Sequence, residues 1–174
     1  MIEGENEFMT DVLFYQNYTY VADISAIVLC IICWLLLHSS YTVREKSLII
    51  FKAGTVCLMM ATVCSISFHT AITRITESRK ILIYVLQDGI YLLLILTFVL
   101  LCNYFGTLLK LEERPARLLG AVSWGGYAVF AFLEIGSPFT HLGFYIDADL
   151  MVHQNFYFDP FRFAYIYYCI VLVV

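Results

Sequence analysis

Charge is what this chain has least of. Only 14% of its 174 residues are Asp, Glu, Lys or Arg, against about 25% in soluble globular domains. A soluble domain of this length buries a core, but it does not hide a composition that is 61% hydrophobic and 17% aromatic. Basic residues are scarcer than acidic ones, 10 against 14, for a net charge of −4. The surplus of acid lies in the N-terminal tail (Glu3, Glu5, Glu7, Asp11) and in a late loop (Asp147, Asp149, Asp159), and nucleic acid is excluded as a partner. No basic residue precedes Tyr20, so the N-terminus is not expected to be a cleavable signal. Phe8, Met9, Val12 and Leu13 recur there at helical spacing, which predicts a short interfacial helix, with Tyr15, Tyr18 and Tyr20 following at headgroup level. All six cysteines (Cys30, Cys33, Cys57, Cys64, Cys102, Cys169) lie in apolar stretches, so they define neither a disulfide framework nor a compartment. Cys30-Ile-Ile-Cys33 has redox spacing, but inside a spanning helix packing explains it.

What the chain has in abundance is apolar runs. They fall at about 20–38, 47–72, 81–109, 118–135 and 161–174. The first four are each about 18 residues or more, enough to cross a hydrocarbon core of roughly 30 Å as a helix. The fifth has no basic flank and no exit, and reads as the first half of a span, so the chain is expected to be the front part of something longer. The predicted fold is all-α: a polytopic transmembrane bundle of at least five spans, forming one membrane-embedded unit over 1–174.

Lys and Arg set the orientation. Arg44, Lys46 and Lys52 lie at the first turnaround and Lys110, Arg114 and Arg117 at the third, six in all; Arg74, Arg79, Lys80 and Arg162 make four on the other side. The excess places the first and third loops inside, the N-terminus outside, and the fifth span running inward, in a multi-pass protein of the cell membrane.

Ionisable groups inside a membrane are costly and so need a reason. Asp23, His69, Gln87, Asp88 and Glu134 come from four different spans, and the orientation gathers them in the outer half of the bilayer. Two readings stay open. In one, near-interface positions are simply wet, most of all at Asp23 and Glu134, which end their spans. In the other, these residues line an outward-facing pocket for a small cationic or hydrogen-bonding ligand, or for a proton, with Asp88 the deepest. Lys52 alone lies near the inner end, where its stem snorkels to the headgroups.

Small residues predict close helix approach at Ala121 and Gly125, beside Gly120 and Gly126, with Gly54 and Gly89 acting likewise. Pro115 marks the start of the fourth helix and Pro138 its end. Between the fourth and fifth spans, Phe144-Tyr145-Ile146-Asp147 and Phe156-Tyr157-Phe158-Asp159 have β propensity and flank a polar interval at 148–155. An outer β-hairpin over the mouth of the bundle is the expectation. Asp147-Ala148-Asp149 lacks the further oxygens and the glycine of a calcium loop.

Over its whole length the chain resembles the multi-pass N-terminal sensor regions of bacterial signalling proteins that end in a GGDEF diguanylate cyclase domain or a histidine kinase. The likeness rests on Val43-Arg44-Glu45-Lys46-Ser47-Leu48, on Leu86-Gln87-Asp88-Gly89-Ile90-Tyr91, and on Tyr104-Phe105-Gly106-Thr107-Leu108-Leu109 before a charged inner loop. The two aromatic runs leading into Tyr165, Tyr167 and Tyr168 belong to it too. The resemblance implies a sensor without enzymatic activity or cofactor of its own. Its partners would be the lipid bilayer, a small outer ligand and a covalently linked cytoplasmic output domain, with a homodimer allowed. A second resemblance is local. Ser65-Ile66-Ser67-Phe68-His69, with Asp88 on the next helix, is similar to the Ser, His and Asp of zinc-dependent membrane hydrolases of the alkaline ceramidase and adiponectin-receptor type. It implies a zinc site of Ser65, His69 and Asp88 completed by a His-xxx-His pair, yet His38, His141 and His153 do not have that spacing. A transporter subunit ranks third, since the spans show neither interruptions nor inverted repeats.

Overall fold

The computed structural model describes residues 20–36, 38, 46–73, 75–141, 144–147, 150, 152–154 and 160–173. The expected interfacial helix near residues 8–13, most of the first turnaround and the aromatic run at 156–159 lie outside the described residues. The described chain is helical apart from two short strands. Helix α1 covers Tyr20–Leu36 and α2 covers Lys46–Ile72. A single 3₁₀ turn, Glu77–Arg79, leads into α3, Lys80–Leu108. Helix α4 spans Glu113–Thr140 and α5 spans Pro160–Val173, with strands β1 (Phe144–Ile146) and β2 (Val152–Gln154) between them.

Three of these helices, α2, α3 with its leading turn, and α4, are long and apolar enough to cross a membrane. The 29 residues of α3 rise about 43 Å at 1.5 Å per residue, more than a hydrocarbon core needs. Helices α1 and α5 occupy the first and fifth apolar runs, but their described residues are shorter.

Helix α3 is the centre of the bundle, packed against α2 on one side and α4 and α5 on the other. Gly54 and Gly89 lie on the α2–α3 seam, but each leaves room for a methyl group, so neither is required for the approach. A Cβ on Gly54 would lie 3.8 Å from Leu100 Cβ, and one on Gly89 would lie 3.8 Å from Cys64 Sγ. Phe51 meets Tyr104 at 5.4 Å near the basic end of the same seam. On the other side Ile95, Val99 and Cys102 of α3 close a core with Ala164 and Tyr168 of α5.

The expected small-residue contact of α4 is displaced by one position. Ala121 and Gly125 are exposed, and nothing lies within 4 Å of a Cβ on Gly125. Gly126 carries the contact instead, against the ring of Tyr167. Tyr167 and Tyr168 donate to two successive carbonyls of α4, those of Val122 and Ser123, at 2.8 and 2.7 Å. Pro138 does not end α4 but lies in its last turn. The end comes at His141, left-handed at φ 55, whose N–H reaches the Ser137 carbonyl at 2.9 Å.

The strands pair antiparallel with Phe144 opposite Gln154, Tyr145 opposite His153 and Ile146 opposite Val152. β1 falls where aromatic propensity predicts it. Its partner lies in the interval expected to connect the strands, because the chain reverses sooner. The Leu150 N–H bonds the Asp147 carbonyl at 3.1 Å, and Leu150 takes a left-handed φ of 61.

Candidate functional site

The candidate residues lie where α1 and α3 begin and where α2 and α4 end. Helix α1 is tied to α2 there by polar contacts. Ser65 Oγ donates to Asp23 Oδ2 at 2.8 Å, and the hydroxyls of Tyr20 and Thr70 meet at 3.3 Å. His69 lies edge-on to Tyr20 at 5.9 Å and within electrostatic range of Asp23. The helical spacing of Ser65, His69 and Thr70 puts these groups on neighbouring turns facing α1. Asp23, Ser65 and His69 are thus brought together; Tyr20, expected only as a headgroup-level residue, and Thr70, which the sequence does not single out, complete the cluster.

Helices α3 and α4 contribute the buried members. Gln87 is 5% exposed and Glu134 1% exposed. Glu134, expected to be barely submerged, is the most deeply buried carboxylate among the described residues. Asp88, expected to be the deepest, is only half-buried, and it makes no hydrogen bond or ion pair among the described residues. The reason is helical phase. Ile83, Gln87, Ile95, Val99 and Cys102 share the buried face of α3, and Asp88 stands about 100° around the helix from Gln87.

The strand pair is fastened over this end. Phe144 sits edge-on to both Phe68 and Tyr84, at 5.7 and 5.8 Å. The Ile146 N–H donates to the Tyr84 hydroxyl at 2.7 Å, and Lys80 Nζ donates to the Asp147 carbonyl at 3.1 Å. Ser137 Oγ faces the Phe144 carbonyl at 3.5 Å. Tyr84 is the residue that sequence reasoning misses, since a tyrosine early in an apolar helix looks like an interface anchor.

Among the described residues no three His, Cys, Asp or Glu side chains are grouped so as to hold a metal. Ser65, a member of the alternative zinc set, is engaged by Asp23. His38 stacks on Trp34 at 5.2 Å, and His141 lies edge-on to Tyr145 at 4.5 Å, so each has an aromatic neighbour of its own. Described residues line a groove of about 130 Å³ between α2 and α3 and a cleft of about 280 Å³ where α3 passes into α4. Neither includes Asp23, His69, Gln87, Asp88 or Glu134 in its wall. Comparison with protein-family models, with curated proteins and with solved structures finds no match to this chain.

Proposed function

We propose that the chain is the membrane-embedded sensory region of a bacterial signalling protein, with five spans, an outside N-terminus and an outer β-hairpin. In this reading a small ligand binds at the end formed by Asp23, His69, Gln87, Asp88 and Glu134. It changes how the helices pack there and so sets the state of a cytoplasmic diguanylate cyclase or kinase domain joined after the fifth span. One observation carries the reading: polar side chains of four helices share one end of an apolar bundle, beneath a strand pair fixed to that same end. A bundle that only anchored itself would have little reason to keep Glu134 1% exposed, because buried carboxylates cost free energy in lipid.

The test has two stages. Reading the natural gene past the codon for Val174 is expected to reveal the output domain, and a stop codon there would remove it. With that domain attached, Asp88→Asn and His69→Ala are expected to insert like the wild type and to lose modulation of its product in cells. Wild-type modulation in both variants would remove the pocket.

A further inference from the structure

The larger of the cavities described above lies away from the polar end. It is a cleft of about 280 Å³ where α3 stops and α4 begins. Asn103, Thr107 and Lys110 give it a polar wall, and Leu111, Ala116 and Leu119 an apolar one. No Asp or Glu belongs to that wall. Lys110 takes a left-handed φ of 50, a place where glycine is the usual occupant. Lysine there adds a charge that the turn itself does not require. Of the two acids that follow Leu111, Glu112 is the N-cap residue of α4 and Glu113 is bound to Arg117 at 3.1 Å, while Arg114 forms no ion pair among the described residues.

The neutral side chains in the wall already donate within α3. Asn103 Nδ2 donates to the Val99 carbonyl at 2.8 Å and Thr107 Oγ1 to the Asn103 carbonyl at 2.8 Å. One amide N–H of Asn103 is left over, and Lys110 is the only charged group in the wall, which favours an anion over a neutral polar ligand. Facing that polar wall, the cleft is lined by the apolar side chains of Leu111, Ala116 and Leu119. A charged mouth above an apolar wall fits an amphiphile, and basic pockets between spans are where anionic headgroups bind. We propose that this cleft holds the phosphate of an anionic phospholipid, with Lys110 as the cation in its wall and the acyl chains starting along Leu111 and Leu119. The site is independent of the sensory reading, since it concerns the opposite end of the bundle.

The test is lipid retention by the purified chain. Protein stripped in neutral detergent is titrated with phosphatidylglycerol or phosphatidylcholine, and bound lipid is counted by native mass spectrometry. Phosphatidylglycerol is expected to be kept and phosphatidylcholine lost. Lys110→Gln is expected to weaken retention about five-fold, the effect of about one basic residue near a charged headgroup. Arg114→Gln should weaken it less, and Lys110→Arg should keep it. Lys46→Gln, on an exposed lysine at the start of α2, should change nothing. Equal retention by Lys110→Gln and the wild type, or an equal loss in Lys46→Gln, would overturn the cleft as the site. Inorganic phosphate that displaces the lipid at matching concentration would overturn the lipid as the source of the anion.

Discussion

Gly126→Ala is the substitution for which the packing gives the clearest forecast. An added Cβ runs into Cε1 of Tyr167, with Cζ 2.9 Å and the hydroxyl oxygen 3.1 Å away. The ring does not step aside freely, because its hydroxyl donates to the Val122 carbonyl at 2.8 Å and it makes T-shaped contacts with the rings of Phe130 and Tyr168. Either α5 retreats from α4 or that hydrogen bond breaks. Overpacking costs about 1–3 kcal/mol, and an interhelical hydrogen bond in a membrane protein contributes about 0.6–2 kcal/mol. Against this, alanine returns up to about 1 kcal/mol of helix propensity. The net expectation is a loss of about 1–3 kcal/mol. Gly125→Ala is the control, since it meets nothing within 4 Å and keeps the propensity gain, so it should be neutral or slightly stabilising. The assay is titration with SDS from a mild detergent, followed by circular dichroism. The midpoint should fall in Gly126→Ala and hold or rise slightly in Gly125→Ala. Equal midpoints would refute the proposed contact, and so would strict additivity in Gly126→Ala with Tyr167→Leu, where removing the ring should recover more than about 0.5 kcal/mol.

Three further outcomes follow from single contacts. Ser65→Ala removes the donor to Asp23 and should lower the SDS midpoint by about 0.6–1.7 kcal/mol; Ser67→Ala, whose hydroxyl bonds the Val63 carbonyl in its own helix, should not. Tyr84→Phe removes the oxygen that accepts the Ile146 N–H, so exchange of that amide should accelerate by up to about ten-fold, as expected for one hydrogen bond. Unchanged protection would mean that Phe144 packing alone fixes β1. Gln87→Leu should raise the SDS midpoint by about 1 kcal/mol, because Gln87 is 5% exposed and makes no hydrogen bond among the described residues. If Gln87 belongs to the ligand end, the same variant should also lose modulation of the output domain; a raised midpoint with full modulation would take it out of the site.

The helices themselves are legible because length and hydropathy suffice to find them. α2 runs Lys46–Ile72 and α3 Lys80–Leu108, within a residue of the apolar runs at 47–72 and 81–109. Which face of each helix is buried is not legible in the same way. In water an apolar stripe marks the core, but in lipid both faces are apolar and the periodicity fades. Ala121 and Gly125 therefore look like a packing pair, although Ser123 and Gly126 face the neighbours. The same ambiguity exchanges Asp88 and Glu134: distance from the span ends ranks Asp88 deeper, whereas rotation about the helix buries Glu134. The second strand is missed for a different reason. Aromatic propensity points to 156–158, but the tight reversal at Asp147 and Leu150 pairs Val152 with Ile146 first.

How the helices are joined bears on how such a bundle would respond. Helices α3, α4 and α5 are locked by close packing, with Ile95, Val99, Cys102, Ala164 and Tyr168 all at 0% exposure and two tyrosine hydroxyls on α4 carbonyls. The contacts described between α1 and α2 are of another kind, namely the Asp23–Ser65 bond, the Tyr20–Thr70 pair and the ring of His69. Most large apolar side chains of α1 are exposed, which in lipid supplies little force toward α2. The joint that depends most on polar contacts is therefore the one that contains Asp23 and His69. Elements that move in response to ligands come from the less stable parts of a structure. A ligand that competes for the Asp23 carboxylate would weaken the α1–α2 joint while leaving the α3–α5 core intact. On the proposed sensory reading, Ser65→Ala should mimic part of a ligand's effect on an attached output domain, whereas Gly126→Ala should lower stability without doing so. That separation distinguishes a responsive joint from general loosening of the bundle.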